Sequence, residues 1–414
     1  MTHSGEWSVI VVGAGAAGLA AALFAATVGH SVLLLESMPA PGKKILISGG
    51  GRCNVLPSHA GPGRFVTDSS RNSLKNILST WPLAAVRRWF EHELGVPLAL
   101  EAETGKLFPA SNRARDVLDA LLRATTQRGV TLRTEAPLAG LQPPPTPGAA
   151  WRLVLAHGEI LYTRRVVLAT GGLSVPQAGS TGTGLRLAAE LGHRLIPPYP
   201  ALTPLTSDGR HSALAGISFP VHLTAPLPTG AFTTHGGFLF THRGYSGPAL
   251  LDISHLAVRS LASGGPPQPI LVQWTGLTAA AWQKALQRGG RTLVSTLLRD
   301  RLPGRLAERL LAEAAIPPHE RTLAELRRDE RRRLVELLTR YSLPYTGHEG
   351  YKKAEVTGGG VHLGEVNPRT LESRHRPGLF LCGELLDAFG PIGGYNFLWA
   401  WVTGRLAGLG AATS

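Results

Sequence analysis

The stretch Val9-Ile10-Val11-Val12-Gly13-Ala14-Gly15-Ala16-Ala17-Gly18, continuing through Leu19-Ala20-Ala21-Ala22-Leu23 and ending at Glu36, decides the fold. Its opening apolar run reads as a parallel strand covered on both faces. The three glycines have separate tasks. Gly13 turns the chain, Gly15 lets the backbone approach a pyrophosphate, and Gly18 lets the following helix pack tightly on the strand. Ala14, Ala16 and Ala17 complete the loop, and the helix start aims free N–H groups and a positive dipole end at phosphate. A second strand, Ser31 to Leu35, delivers Glu36 where an acid meets a ribose 2′-OH. A Gly-x-Gly-x-x-Gly by itself is often only a tight turn. Here strand, turn, helix, strand and acid agree, and they predict a dinucleotide site. An acid at Glu36 repels a 2′-phosphate, so the bound ligand is FAD or NAD rather than NADP.

The chain has 414 residues, enough for two or three domains, and its 43% hydrophobic and 17% charged residues suit an ordered globular protein. Cys53 and Cys382 are the two cysteines and form no Cys-x-x-Cys, which excludes a disulfide framework and the dithiol flavin reductases. Residues 1–7 lack a basic-then-apolar leader and no apolar run is long enough to span a bilayer. A soluble, cytoplasmic protein with no membrane partner and no metal is expected. Net charge is +14, and arginine outnumbers lysine 35 to 7. Two readings stand: a polyanionic partner such as nucleic acid, or a genome bias toward arginine.

Pro39 to Val55 reads as a glycine- and lysine-rich loop. Leu74 to Leu94 reads as one or two helices, Val96 to Pro109 as a hairpin, and Ala114 to Arg128 as a helix ended by Gly129. Val130 to Arg133 is a strand expected to rejoin the dinucleotide sheet. Pro143 to Pro147 is a proline-rich turn. Trp151–Leu155 and Glu159–Tyr162 alternate like a surface hairpin, Val166 to Gly172 returns to the core, and Gly182 to Leu191 is a helix. The style changes near Pro197-Pro198: short alternating strands to about Trp274 predict a small β-barrel or sandwich. Thr278 to Tyr341 turns helical and basic, with fourteen Lys/Arg against eight Asp/Glu. Leu379 to Glu384 is a last buried strand and Gly393 to Leu409 a closing helix. The expected fold is α/β: a Rossmann-type FAD-binding domain built from both chain ends (1–195 and 343–414), with an inserted β-barrel (196–275) and a basic helical subdomain (276–342).

One complete fingerprint means no second Rossmann unit for a pyridine nucleotide. The C-terminal stretch favours FAD over NAD. Gly383-Glu384 ends a buried strand and places a carboxylate for ribityl hydroxyls. Gly393-Gly394-Tyr395-Asn396 then opens a helix whose N-terminus suits the N1–C2=O edge of a reduced flavin. A glycine turn that merely starts a core helix is the plainer alternative.

The fingerprint, the block Gly42-Lys43-Lys44-Ile45-Leu46-Ile47-Ser48-Gly49-Gly50-Gly51-Arg52-Cys53-Asn54, Ala169-Thr170-Gly171-Gly172-Leu173-Ser174, Gly179 to Gly184, Phe240 to Pro248, Thr357-Gly358-Gly359-Gly360-Val361, and Gly383 to Asn396 resemble the BaiN/RdsA family of bacterial flavoproteins. The resemblance runs nearly end to end, and it implies an FAD domain with an inserted β-barrel and a helical domain. It also implies one of two activities: reduction of uridine to dihydrouridine in large-subunit ribosomal RNA, or reduction of an enone-like double bond in bile-acid intermediates. In either, hydride leaves flavin N5 for a C=C conjugated to a carbonyl, and a proton follows to the neighbouring carbon.

The resemblance places Lys44, Gly51, Arg52, Cys53 and Asn54 near the isoalloxazine. With Ala169, Thr170, Gly171, Gly172, Leu138, Gly383, Glu384, Gly393, Gly394, Asn396 and Phe397, these make up the candidate cofactor set. Cys53 is the candidate proton donor, because a thiol in a basic loop can act as an acid; a small residue packed under the flavin is the alternative. Cys382, inside an apolar strand, reads as core. His242 and Tyr245, in a glycine-rich turn of the insertion, stand as proton donors or base readers, or as parts of a hydrogen-bonded turn. Tyr395 stacks on substrate or caps its helix. Arg327, Arg328, Arg331, Arg332 and Arg333 supply phosphate contacts to ribosomal RNA, or form a solvated helix face partly paired with Asp329 and Glu330. The charge favours RNA over a bile-acid-like enone, which needs an apolar slot. A flavin-bound RNA assembly factor without turnover is the third reading. NAD(P)H is the expected electron donor, bound transiently over the flavin.

Overall fold

The computed structural model describes residues 7–26, 30–146, 148–287 and 289–413. Residues 1–6, on which the missing leader was read, and Pro147 of the proline-rich turn lie outside them. The chain forms two compact units, Met1–Pro200 with Ala354–Ser414, and Ala201–Lys353.

The first unit is built on the opening strand, Trp7–Val12, whose Val9–Val12 are at most 4% exposed. Parallel strands flank it: Val32–Leu35 on one side, itself paired with Thr131–Arg133, and Ile160–Leu168 on the other. Val130 to Arg133 thus rejoins the sheet as its alternation predicts. The surface hairpin is present, but its second arm and the core return, which read as separate, are one nine-residue strand, Ile160–Leu168. Its first half pairs antiparallel with Trp151–Leu155, and its second half pairs parallel with Leu379–Leu381. Thr163-Arg164-Arg165 reads as a break in the sequence because it is polar. The strand passes through it because Thr163 is fully buried and its Oγ1 donates to the Trp7 carbonyl at 2.8 Å.

Helix Ala16–Ala26 covers this sheet and packs on the C-terminal helix Tyr395–Thr413. Both carry small residues at four-residue spacing where they cross. A Cβ on Gly404 would lie 2.3 Å from the Ala17 carbonyl oxygen, and one on Gly408 2.3 Å from that of Ala21. Any larger residue there pushes the fingerprint helix off its seat. The lysine-rich loop is more ordered than its composition suggests: it holds a short helix, Lys43–Ile47, and a tight turn, Ser48–Gly51. The expected hairpin is present as Leu98–Glu101 and Lys106–Pro109, with Leu56–Pro57 added at its edge.

The second unit holds a seven-stranded antiparallel sheet that includes the hairpin Ser218–Leu227 and Gly230–Thr241. Helices Ala279–Leu286, Val294–Arg299, Gly304–Glu313 and Arg328–Thr339 follow. The stretch read as all-β also contains a fifteen-residue helix, Pro248–Ala262. Its signals are visible in retrospect: Pro248 at the first turn, and buried Ala249, Leu250, Ile253, Ala257 and Val258 at helical spacing.

Candidate active site

Strand ends and glycine turns of the first unit bring the motifs together. Gly13 has φ +102°, and a Cβ there would lie 2.5 Å from the Ala169 carbonyl oxygen. A Cβ on Gly18 would lie 1.7 Å from the Gly13 carbonyl oxygen. Both glycines are therefore required by the protein's own packing. Gly15 is not: a Cβ there would meet nothing within 4 Å. The open space over Gly15, at the start of an eleven-residue helix, is the cradle a pyrophosphate needs.

Glu36 stands at the end of the second strand and is 8% exposed. Its carboxylate accepts from the Ala14 and Met38 backbone N–H groups, each at 2.9 Å, and from Ser37 Oγ at 3.2 Å. A carboxylate offers about four acceptor positions, so room remains for one ribose hydroxyl. Glu36 therefore anchors the loop that carries the glycines and keeps one acceptor position open. Thr170 Oγ1, buried beside this loop, has no hydrogen-bond partner.

The other motifs meet at Glu384. Its Oε2 pairs with Lys44 Nζ at 2.7 Å, and its Oε1 accepts from Ser174 Oγ at 2.6 Å and Thr357 N at 2.9 Å. Lys44 also donates to Ser174 Oγ at 2.7 Å, and Thr357 Oγ1 accepts from the N–H groups of Leu173 and Ser174. Burial alone would raise the Glu384 carboxyl; the Lys44 ammonium and these hydrogen bonds hold it below the ordinary carboxylate range. Three of its roughly four acceptor positions are used by the protein, so Glu384 binds the loops together and keeps one position open for a ribityl hydroxyl. It is a clamp joining four glycine-rich loops, and Gly172 must be glycine because a Cβ would lie 2.4 Å from Thr357 Oγ1. Ser174 and Thr357 stood in motifs visible in the sequence, yet nothing in composition marks them as the clamp's other half.

Asn54 closes the loop onto the C-terminal helix. In the amide orientation that satisfies it, its oxygen accepts from Gly394 N at 3.1 Å and its nitrogen donates to the Leu56 carbonyl at 3.3 Å. Asn396 also serves the backbone, bonding both polar groups of Gly390 at 2.8 and 2.9 Å. The C-terminal helix begins with the Leu398 N–H to Gly394 carbonyl bond, so its start leaves N–H groups facing outward. Tyr395 is half-buried, edge-on to Phe65, with the Arg64 guanidinium 5.8 Å from its ring centre. Phe397 stacks on Trp401, and Leu138 is buried on its strand. Gly51 has φ +85° in the turn before Arg52. Arg52 lies over the Phe108 ring and pairs with Glu101 at 3.0 Å.

The structure overturns Cys53 as proton donor. The residue is 0% exposed, and burial pushes its thiol up to about 12, with a Ser48 hydrogen bond pulling slightly the other way. A thiol with no open face neither touches a substrate nor recovers a proton from solvent. Cys382 is core, as expected. Tyr245 is likewise fully buried, in the second unit, where its hydroxyl meets His211 Nδ1 at 2.8 Å. His211 Nε2 meets Tyr341 and Glu313, and Glu313 pairs with Arg309 at 2.6 Å. This network ties two short strands, Gly244–Ser246 and Tyr341–Ser342, to the helix Gly304–Glu313, and Tyr245 is part of it rather than a donor to substrate. His242 is exposed on the adjoining turn.

The arginine run divides. Arg333 pairs with Asp329 at 2.8 Å and donates to the Ala314 carbonyl, and Arg331 donates to the Leu326 carbonyl. Arg327, Arg328 and Arg332 remain exposed. No group of three or more His, Cys, Asp or Glu that could hold a metal occurs among the described residues, and no described helix is long and apolar enough to cross a membrane.

The family profile described as "HI0933-like protein Rossmann domain" matches residues 7–410. The chain belongs to the HI0933-like family. Two curated relatives match it nearly end to end. A ribosomal RNA dihydrouridine synthase of Escherichia coli K12 is 33% identical over 96% of both chains. A 3-dehydro-bile acid delta(4,6)-reductase of Clostridium scindens is 32% identical over 97% of this chain and 98% of its own. Among solved structures, the 3-ketosteroid-delta4-(5alpha)-dehydrogenase of Rhodococcus jostii RHA1 superposes with TM-score 0.51 at 15% identity, over 99% of this chain and 97% of that one. That likeness is one of fold, and it places this HI0933-like chain among mixed α/β proteins with a Rossmann-type FAD-binding domain.

Proposed function

We propose that this chain is an FAD-dependent reductase of a carbonyl-conjugated C=C, with uridine of large-subunit ribosomal RNA as its substrate and dihydrouridine as its product. The observation that carries the reading is the full-length similarity to two relatives whose printed names share one reaction class. A pyrimidine dihydro product and a delta(4,6)-reduced steroid both arise by saturating a double bond next to a carbonyl. Identity at 33% and 32% does not separate the two substrates. Charge favours the RNA: a +14 chain with exposed Arg327, Arg328 and Arg332 suits a phosphate backbone, and an apolar slot has no use for them.

FAD, when bound, supplies the hydride. The chain's own groups do the rest. The Gly15 cradle and the helix behind it take the pyrophosphate, and Glu36 takes the ribose. Asn54 and the Lys44–Glu384–Ser174–Thr357 clamp hold the loops rigid around the ring system. The outward N–H groups at the start of the C-terminal helix favour negative charge there. With one fingerprint in the chain, NAD(P)H is the proposed reductant, engaging transiently, and a ribosomal RNA substrate places the protein in the cytoplasm.

The test is mass spectrometry of nuclease-digested large-subunit ribosomal RNA from cells with and without the gene. Loss of one dihydrouridine, restored by a plasmid copy, supports the reading. An unchanged digest moves the substrate to a small enone, the activity named for the Clostridium scindens relative.

A further inference from the structure

The hairpin of the second unit, Ser218–Leu227 with Gly230–Thr241, carries two histidines that the reduction does not use. His222 and His235 stand directly opposite each other on its two strands. The strands are joined by a two-residue turn, so the closing pair, Leu227 and Gly230, exchanges backbone hydrogen bonds and the next pair does not. Five pairs further from the turn, His222 and His235 fall on a non-hydrogen-bonded pair, where facing side chains come closest. Their ring centres are 4.2 Å apart and their planes 35° from parallel. Both side chains are exposed, and among the described residues neither ring makes a hydrogen bond or an ion pair.

A second histidine contact shows what a structural pair looks like. His193 and His375 meet edge to face at 5.6 Å. His193 bonds the Ala188 carbonyl and Ser373 Oγ, and His375 pairs with Glu365, so the nitrogens there are taken. At His222 and His235 nothing competes for them. Residues two positions away along a strand share its face, and here those are Pro220, Thr224, Thr233 and Gly237. None carries a charge, so no acid ties up a ring and no lysine or arginine repels a cation. On its other side His222 is opposite Gln273, which holds its backbone in place from both edges.

Two neutral imidazoles at this spacing suit one metal ion. Zinc–imidazole bonds of about 2.0–2.1 Å at a tetrahedral angle set the two nitrogens about 3.4 Å apart. Rings inclined at 35° are nearer along one edge than at their centres, so small side-chain rotations reach that spacing. Two imidazolium charges this close repel each other, which favours the neutral, metal-binding form. We propose that His222 and His235 together bind one divalent cation of the Zn²⁺ class, with water completing its shell, and that the ion clips the hairpin strands together. Nitrogen donors select Zn²⁺, Ni²⁺ and Cu²⁺ over Mg²⁺ and Ca²⁺, which take oxygen. The site stands independently of the reductase reading.

The experiment titrates the full chain with Zn²⁺ alone in a calorimeter, as wild type, His222→Gln, His235→Gln and the double variant. Once one imidazole holds the ion the second binds intramolecularly, a gain of roughly 10²- to 10⁴-fold over a single histidine. Each single substitution should therefore lose roughly 10²-fold or more of the wild-type affinity, and the double variant should be little worse than either. Both side chains are exposed and unbonded, so melting without metal should be unchanged, and Zn²⁺ should raise the melting temperature of the wild type alone. Cu²⁺, which binds such sites more tightly, gives a readout on the wild type itself. At substoichiometric Cu²⁺ its electron paramagnetic resonance spectrum should show coupling to two imidazole nitrogens. A Zn²⁺ affinity that survives either single substitution, or a Cu²⁺ spectrum with one nitrogen, overturns the proposal.

Discussion

Alanine at position 15 separates a ligand-driven glycine from a packing-driven one. A Cβ at Gly15 meets nothing within 4 Å, and the residue is outside the positive-φ region. Gly15→Ala should leave the free protein intact and, by restricting the unfolded chain, stabilise it by about 0.4–1 kcal/mol. The methyl then stands where a pyrophosphate would lie against the backbone. Overpacking of that kind costs about 1–3 kcal/mol, which at 1.4 kcal/mol per tenfold is a loss of roughly 5- to 140-fold in FAD affinity. Gly18→Ala is the control: its Cβ would lie 1.7 Å from a backbone oxygen, so it should fail in stability before binding can be measured. Calorimetric melting of the apoprotein and titration by quenching of flavin fluorescence read the two effects separately. A Gly15→Ala protein that melts like wild type and binds FAD equally well would refute the placement of the pyrophosphate.

Lys44→Met leaves Glu384, which is 18% exposed, without its cation. It should destabilise the protein by about 1–3 kcal/mol in urea unfolding. Because the folded Glu384 carboxyl is lowered, its stabilisation is present above the unfolded pKa and fades as pH falls through the folded one; the gap between wild type and Lys44→Met should close in acid. Tyr245→Phe strands His211 Nδ1 in the core and should cost about 1–3 kcal/mol of stability with no change in kcat per folded molecule, as thermal melting and a rate assay would show. Arg328→Gln with Arg332→Gln should lower the slope of log K against log salt for ribosomal RNA by roughly 1.4–1.8 and leave the melting temperature unmoved; an unchanged slope removes these side chains from the RNA contact.

The backbone around the fingerprint was legible because it is local. Strand, turn and helix lie within about twenty contiguous residues, and the glycine spacing marks the turn even though the backbone that Gly13 must clear, at Ala169, is distant in sequence. The clamp was not legible as a clamp. Lys44, Ser174, Thr357 and Glu384 are brought together only by the fold, and a glycine-rich motif announces a turn without naming the side chain that closes it. Cys53 misled for a related reason. Its neighbours Lys44 and Arg52 suggest an electropositive, reactive thiol, but those cations turn to Glu384 and Glu101, and the sulfur is folded inward.

Charge distribution bears on the two readings of the arginine excess. A genome bias acts on every codon alike and predicts an even spread. The unit Ala201–Lys353 carries nineteen Lys/Arg against eleven Asp/Glu in 153 residues, and the other 261 residues carry 23 against 17. Net charge per residue is thus more than twice as high in the second unit. Many acids of that unit are already committed to arginine, Asp208 to Arg210, Glu308 to Arg299, Glu313 to Arg309, Asp329 to Arg333 and Glu330 to Arg321. What remains unneutralised is therefore concentrated in exposed arginines such as Arg327, Arg328 and Arg332. A concentrated excess costs self-repulsion that an even spread would lessen, and a polyanion bound at that surface would offset it.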